Sequence, residues 1–139
     1  MNRKQKTSGL TPFVAVMAIF AFVTFSAFYF QKPPWEAPKS ADAKKNPLTS
    51  DAGTIAAGKA VFAKECVSCH GKTGKGDGPS AAQLETPPGN FTTGDTQGHS
   101  DGALFWKISE GRKPMPPFKK KLDENQIWQC VVYMRTFKK

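Results

Sequence analysis

The sequence predicts an all-α domain of about 88 residues behind one long apolar N-terminal helix. Three observations carry that prediction. Residues 10–30 form an apolar run without a single charge. Two later segments, 54–67 and 123–135, place apolar residues on one face at helical spacing, and the second opens on a capping residue. The Gly-, Pro- and Lys-rich remainder shows no βαβ pattern and no internal repeat.

Taken in order, residues 1–9 read as a cytoplasmic tail carrying Arg3, Lys4 and Lys6. Leu10 to Phe30 follow as a transmembrane anchor. At 1.5 Å per residue this run spans roughly 32 Å, matching a hydrocarbon core of about 30 Å. Pro12 lies in the first turn, where its missing N–H costs little. Tyr29 and Trp35 follow at the far end, where amphipathic rings favour the interface. A cleaved signal peptide would have a shorter apolar stretch ending in small residues, and the best cleavage candidate here, Thr24-Phe25-Ser26, lies inside the run. Lysines and arginines nearly balance across the run, so charge alone does not orient it.

Residues 31–51 contain four prolines with Ala and Lys and no apolar periodicity, which reads as a semi-extended tether. Residues 52–139 form the folded domain. They carry thirteen Lys or Arg against eight Asp or Glu, within a formal net charge of +9 for the whole chain. A basic chain raises nucleic acid as a partner, but no recognition motif is present, and a docking face for an acidic protein fits better.

Cys66-Val67-Ser68-Cys69-His70 is the most informative stretch. C-x-x-C-H reads as covalent c-type haem attachment: two thiols near a helix end add to the two vinyl groups, and the adjacent His supplies an axial nitrogen. A thioredoxin-like redox pair would call for a βαβ setting. Half of a zinc knuckle would call for a second ligand pair, which does not follow.

The flanking residues extend the pattern. Gly58-Lys59-Ala60-Val61-Phe62 precedes the motif, and Gly71-Lys72-Thr73-Gly74-Lys75-Gly76-Asp77-Gly78-Pro79 follows it. Asp101 to Trp106, Gly111, Met115-Pro116-Pro117-Phe118 and Ile127 to Arg135 come later. Over about residues 52–137 the chain resembles a class I cytochrome c, closest to the bacterial single-haem domains of oxidase subunits, dehydrogenase partners and soluble carriers. The resemblance implies a cytochrome c fold of three to four helices around one covalent haem c. It implies thioether attachment at Cys66 and Cys69, and iron ligation by His70. Pro79 resembles the family proline whose carbonyl accepts the proximal imidazole N–H, and Gly58 the glycine that lets the first and last helices approach. It also orients the chain, with the haem domain in the periplasm and the anchor in the bacterial inner membrane.

A Gly-, Pro- and Thr-rich loop over 71–100 is long for a small domain, and a ring for it to wrap explains the length. Ser100 reads as the N-cap of a short helix closed by Gly111, and Asp123 with Gln126 as a capping box. Met115 is the expected sixth ligand, since the surrounding prolines stiffen its loop and the family match points to the same residue. Met134 falls on the inner stripe of the last helix and His99 in a loop. Cys130, the leftover thiol, falls on that same inner stripe and reads as a small buried hydrophobe. Arg112, Lys113, Lys119, Lys120 and Lys121 bracket Met115 with no acid between them, as a docking face for an acidic redox partner would.

The expected function is therefore electron transfer rather than catalysis. The protein would be a tethered carrier serving a terminal oxidase or a photosynthetic reaction centre. The alternative is a permanently bound subunit of a membrane electron-transfer complex. A haem enzyme or gas sensor would need a displaceable sixth ligand. No nucleic acid and no small-molecule substrate is expected.

Overall fold

The computed structural model describes residues 34–138, so the expected anchor and the N-terminal tail lie outside the described residues. Within the described residues no helix is long and apolar enough to cross a membrane. The chain divides into two units at Trp35/Glu36, and the second, residues 36–139, holds the fold.

This unit is all-helical. It comprises α1 (Lys39–Asp42), α2 (Ala52–Glu65), α3 (Val67–His70), a 3₁₀ turn (Ala81–Gln83), α4 (Gly94–Gln97), α5 (Asp101–Glu110) and α6 (Glu124–Arg135). The two expected caps form: Ser100 accepts from Ala103 N–H, and Asp123 and Gln126 make the reciprocal capping box. A third, not expected from the sequence, starts α2, where Asp51 accepts from Thr54 N–H. Gly111 closes α5 at φ 63°, a conformation that glycine adopts without steric cost.

The core lies where α2 and α6 cross and α5 packs against α6. Phe62, Leu104, Phe105, Ile108, Ile127, Trp128, Cys130, Val131 and Met134 are buried there. The crossing depends on Gly58: a β-carbon there would overlap the backbone carbonyl of Gln129 and stand 2.9 Å from Tyr133 Cβ. Arg135 ties the end of α6 to the start of α5, with its Nε donating to Asp101 Oδ1 at 2.8 Å and its Nη2 to the His99 carbonyl at 2.6 Å.

Residues 31–51 read from sequence as a semi-extended tether; in the structure the part from Glu36 onward groups with the folded unit, and Ala41 is buried. This strap lies against α5. A β-carbon at Gly102 would overlap the Ala41 carbonyl, so helix and strap touch backbone to backbone. Ser100 Oγ donates to Asp42 at 2.7 Å, and Asn46 Nδ2 to Asp101 at 3.3 Å. Lys44 Nζ sits 3.9 Å from the Phe105 ring centroid and 3.4 Å from Glu124. Apolar periodicity could not reveal the strap, because polar atoms, one buried alanine and the single Leu48 against the core hold it.

Candidate haem-attachment site

Cys66 caps the end of α2, and Val67 to His70 form a single further turn. A turn that short leaves all its carbonyls without intrahelical partners. The following loop supplies them. Gly71 N–H donates to Val67 (2.9 Å), Ser80 to Ser68 (2.8 Å), Gly78 to Cys69 (3.1 Å) and Gly76 to His70 (2.9 Å). Such close return of backbone explains the glycines: Gly71 and Gly76 have φ 74° and 79°. The Gly-rich stretch is thus a wrap that fixes the C-x-x-C-H turn.

His70 is half-buried, and its Nδ1 lies 3.2 Å from the Gly89 carbonyl. A carbonyl only accepts, so Nδ1 carries the proton, and in the neutral ring the Nε2 lone pair is free to bind a metal. Burial holds the imidazole below its usual 6.5, against the Gly89 bond, which raises it. The expected partner of this nitrogen was Pro79, and the structure gives the bond to Gly89 instead. The physical reason is the wrap: the Gly78 and Ser80 amides bind Pro79's segment to the α3 carbonyls, while Gly89 comes from the next limb of the loop. Phe91, two residues on, stacks its ring on the imidazole at 4.4 Å between centroids and 23° between planes. Neither Gly89 nor Phe91 was singled out from sequence, and Pro87-Pro88-Gly89 was the only local sign of a fixed turn.

The thiols of Cys66 and Cys69 are free and half-buried. Cys66, Val67 and Met115 pack against the core while remaining partly open on their outer side. Two thiols beside apolar side chains, an imidazole with a free Nε2 and a partly open thioether are the groups that a covalent haem would use. Among the described residues no three His, Cys, Asp or Glu are grouped so that they could hold a bare metal ion. A thioredoxin-like site has no sheet among the described residues to sit on.

The Met115 loop folds back beneath α5. Phe118 N–H donates to Ile108 O (3.1 Å), Lys119 N–H to Ser109 O (3.2 Å) and Met115 N–H to Arg112 O (2.9 Å). The other sixth-ligand candidates are engaged elsewhere. Lys107 Nζ lies 2.6 Å from His99 Nε2, and burial holds this lysine below its usual range. Met134 is in the core. Cys130 is buried too, and a hydrogen bond with the Cys66 side chain, followed by burial, pushes its thiol up and keeps it protonated. The basic run is less uniform than its sequence suggests, because Lys119 pairs with Glu110 and Lys121 with Glu65.

The chain is similar to known proteins in sequence and in fold. The family model described as cytochrome c oxidase, cbb3-type, subunit III matches residues 53–134. Relatives named Cbb3-type cytochrome c oxidase subunit CcoP are 31% identical over 91 residues in Azospirillum brasilense and 32% identical over 96 residues in Azospirillum sp. (strain B510). Each match covers 64% of this chain but 30% of the relative, so the chain spans under a third of the curated relatives it matches. Among solved structures, a reducing HAO-like protein complex of Kuenenia stuttgartiensis aligns with TM-score 0.62 and 31% identity over 81% of this chain and 54% of that one. A c-type cytochrome aligns with TM-score 0.52 and 30% identity, covering 59% of this chain and 98% of that one. Cytochrome cL of Methylophaga aminisulfidivorans aligns with TM-score 0.50 and 25% identity, over 78% and 71%.

Proposed function

The chain belongs to the family of cbb3-type cytochrome c oxidase subunit III and is a single-haem class I c-type cytochrome with covalent haem c; from that premise we propose that it passes single electrons between redox proteins on the periplasmic face of a bacterial membrane, held there by an anchor at residues 10–30. The observation that carries this reading is His70 at the end of the C-x-x-C-H turn, with Nδ1–H given to Gly89 and Nε2 left for iron. When bound, the haem supplies a one-electron couple between ferric and ferrous iron. Cys66 and Cys69 would hold it by thioether bonds. His70 would supply its nitrogen ligand, and Met115 would bring a sulfur from a loop stiffened by prolines. A thioether ligand would favour the ferrous state and raise the potential relative to a second imidazole.

The test is an absorption spectrum of the purified full-length protein, oxidised and reduced. The expected result is a low-spin c-type spectrum with the weak long-wavelength sulfur-to-iron band. Loss of that band in Met115→Ala supports the assignment. A high-spin wild type that binds carbon monoxide rapidly would overturn it in favour of a sensor or enzyme.

Docking is assigned to the run Arg112, Lys113, Lys119, Lys120 and Lys121, within which Lys119 also pairs with Glu110 and Lys121 with Glu65. Electron-transfer rate with an acidic partner is expected to fall as ionic strength rises. A rate flat across salt would remove the docking face from the proposal.

The second reading, a fixed subunit of a membrane oxidase complex, gains support from the names of the relatives and from the docked strap. Stoichiometric co-purification in mild detergent selects it. Isolation alone selects the carrier.

A further inference from the structure

Phe91 is held more firmly than a core side chain needs to be. Its N–H donates to the Gly74 carbonyl at 2.7 Å, and its carbonyl accepts from Gln97 Nε2 at 2.6 Å. The same Gln97 amide reaches the Met134 carbonyl of α6 at 3.0 Å. Phe91 is therefore pinned at one end to the C-x-x-C-H wrap and at the other to the C-terminal helix. Its ring is boxed in as well. Phe62 lies 6.1 Å away edge-on and Phe137 6.4 Å away, and a β-carbon at Gly74 would stand 3.2 Å from Phe91 Cδ2. The nearest ring of all is the His70 imidazole, 4.4 Å away and within 23° of parallel.

We propose that Phe91 is a positioning residue for the proximal ligand: with Gly89 it forms a two-point clamp that fixes the plane of the His70 ring. The Gly89 bond sets the tautomer and anchors one ring atom. A single hydrogen bond still lets the imidazole swivel about that contact. A flat ring against its face removes this freedom, and both contacts come from one short segment, so they move together. This inference rests on His70 being the axial ligand.

The imidazole plane can be read in the ferric holoprotein, because it sets the pattern of the four haem-methyl proton shifts and the anisotropy of the electron paramagnetic resonance spectrum. Phe91→Leu keeps apolar bulk but lacks a flat face, and is expected to change the order or spread of the methyl shifts. Phe91→Tyr is expected to restore them. Phe62→Leu, in the same aromatic cluster but without contact to His70 among the ring pairs, is expected to lower stability and leave the shifts as in wild type. Wild-type shifts in Phe91→Leu, or equal changes in Phe62→Leu, would overturn the proposal. If Phe91→Leu fails to hold haem, Phe91→Tyr with altered shifts would overturn it and Phe91→Tyr with wild-type shifts would sustain it. A wild type that is not low-spin would instead mark failure of the His70 assignment itself.

Discussion

Two glycines set within helices bring backbone against backbone from another segment, Gly58 between α2 and α6 and Gly102 between α5 and the strap. Their immediate contacts are alike, since a β-carbon at either would overlap a carbonyl oxygen. Their surroundings differ. Gly58 lies where helices of 14 and 12 residues meet, beside a core to which α2 gives Phe62 and α6 gives Ile127, Cys130, Val131 and Met134. Gly102 faces a four-residue turn held by hydrogen bonds, one lysine and a single buried alanine. The same clash should therefore have different consequences: a helix locked into a core cannot retreat, and a strap can lift away.

The largest expected effect is Gly58→Ala. Overpacking a well-packed crossing costs up to about 3 kcal/mol, and alanine's better helix propensity returns about 1, leaving a net loss of about 2 kcal/mol. Chemical denaturation of the holoprotein measures it. Gly102→Ala should remain within about 1 kcal/mol of wild type, because the strap detaches and α5 gains propensity. Its signature is local: cleavage within residues 36–46 under limited proteolysis while the rest of the domain resists. Equal losses for the two variants would show that the strap is as firmly held as α6, and the contrast between the two contacts would collapse.

The smallest effect sharpens the comparison at the helix starts. Asp51 caps α2 with a carboxylate and Ser100 caps α5 with a hydroxyl. Hydrogen bonds from the Thr49 side chain and then the Thr54 amide hold Asp51 below its usual 3.8. A depressed carboxylate contributes stability that is present above its unfolded value and lost as pH falls through the folded one. The gap in stability between wild type and Asp51→Ala should thus be steady at neutral pH and close below about pH 4. A gap that persists unchanged into acid would show that the Asp51 charge adds nothing to the cap.

The same contrast explains what could be read from the chain. The α2–α6 crossing was legible because Gly58, Val61, Phe62, Ile127, Val131 and Met134 recur at helical spacing, and because Asp123 and Gln126 form a capping signature. The C-x-x-C-H turn was legible because its spacing is chemical. The strap was not, since a serine–aspartate bond, an asparagine and a cation over a ring leave no period in the sequence. The partner of His70 was misplaced for a related reason. Pro79 and Gly89 lie on successive limbs of one loop, and only the amides that bind the first limb to α3 reveal which carbonyl reaches the imidazole.

The docked strap also moves the edge of the folding unit. The unit begins at Glu36, sixteen residues before the first long helix. A truncation starting at Ala52 would keep every helix from α2 onward yet remove Ala41 from its seat against Gly102, and take from Ser100 and Asp101 their Asp42 and Asn46 partners. The smallest fragment that keeps α5 fully dressed therefore starts at Glu36.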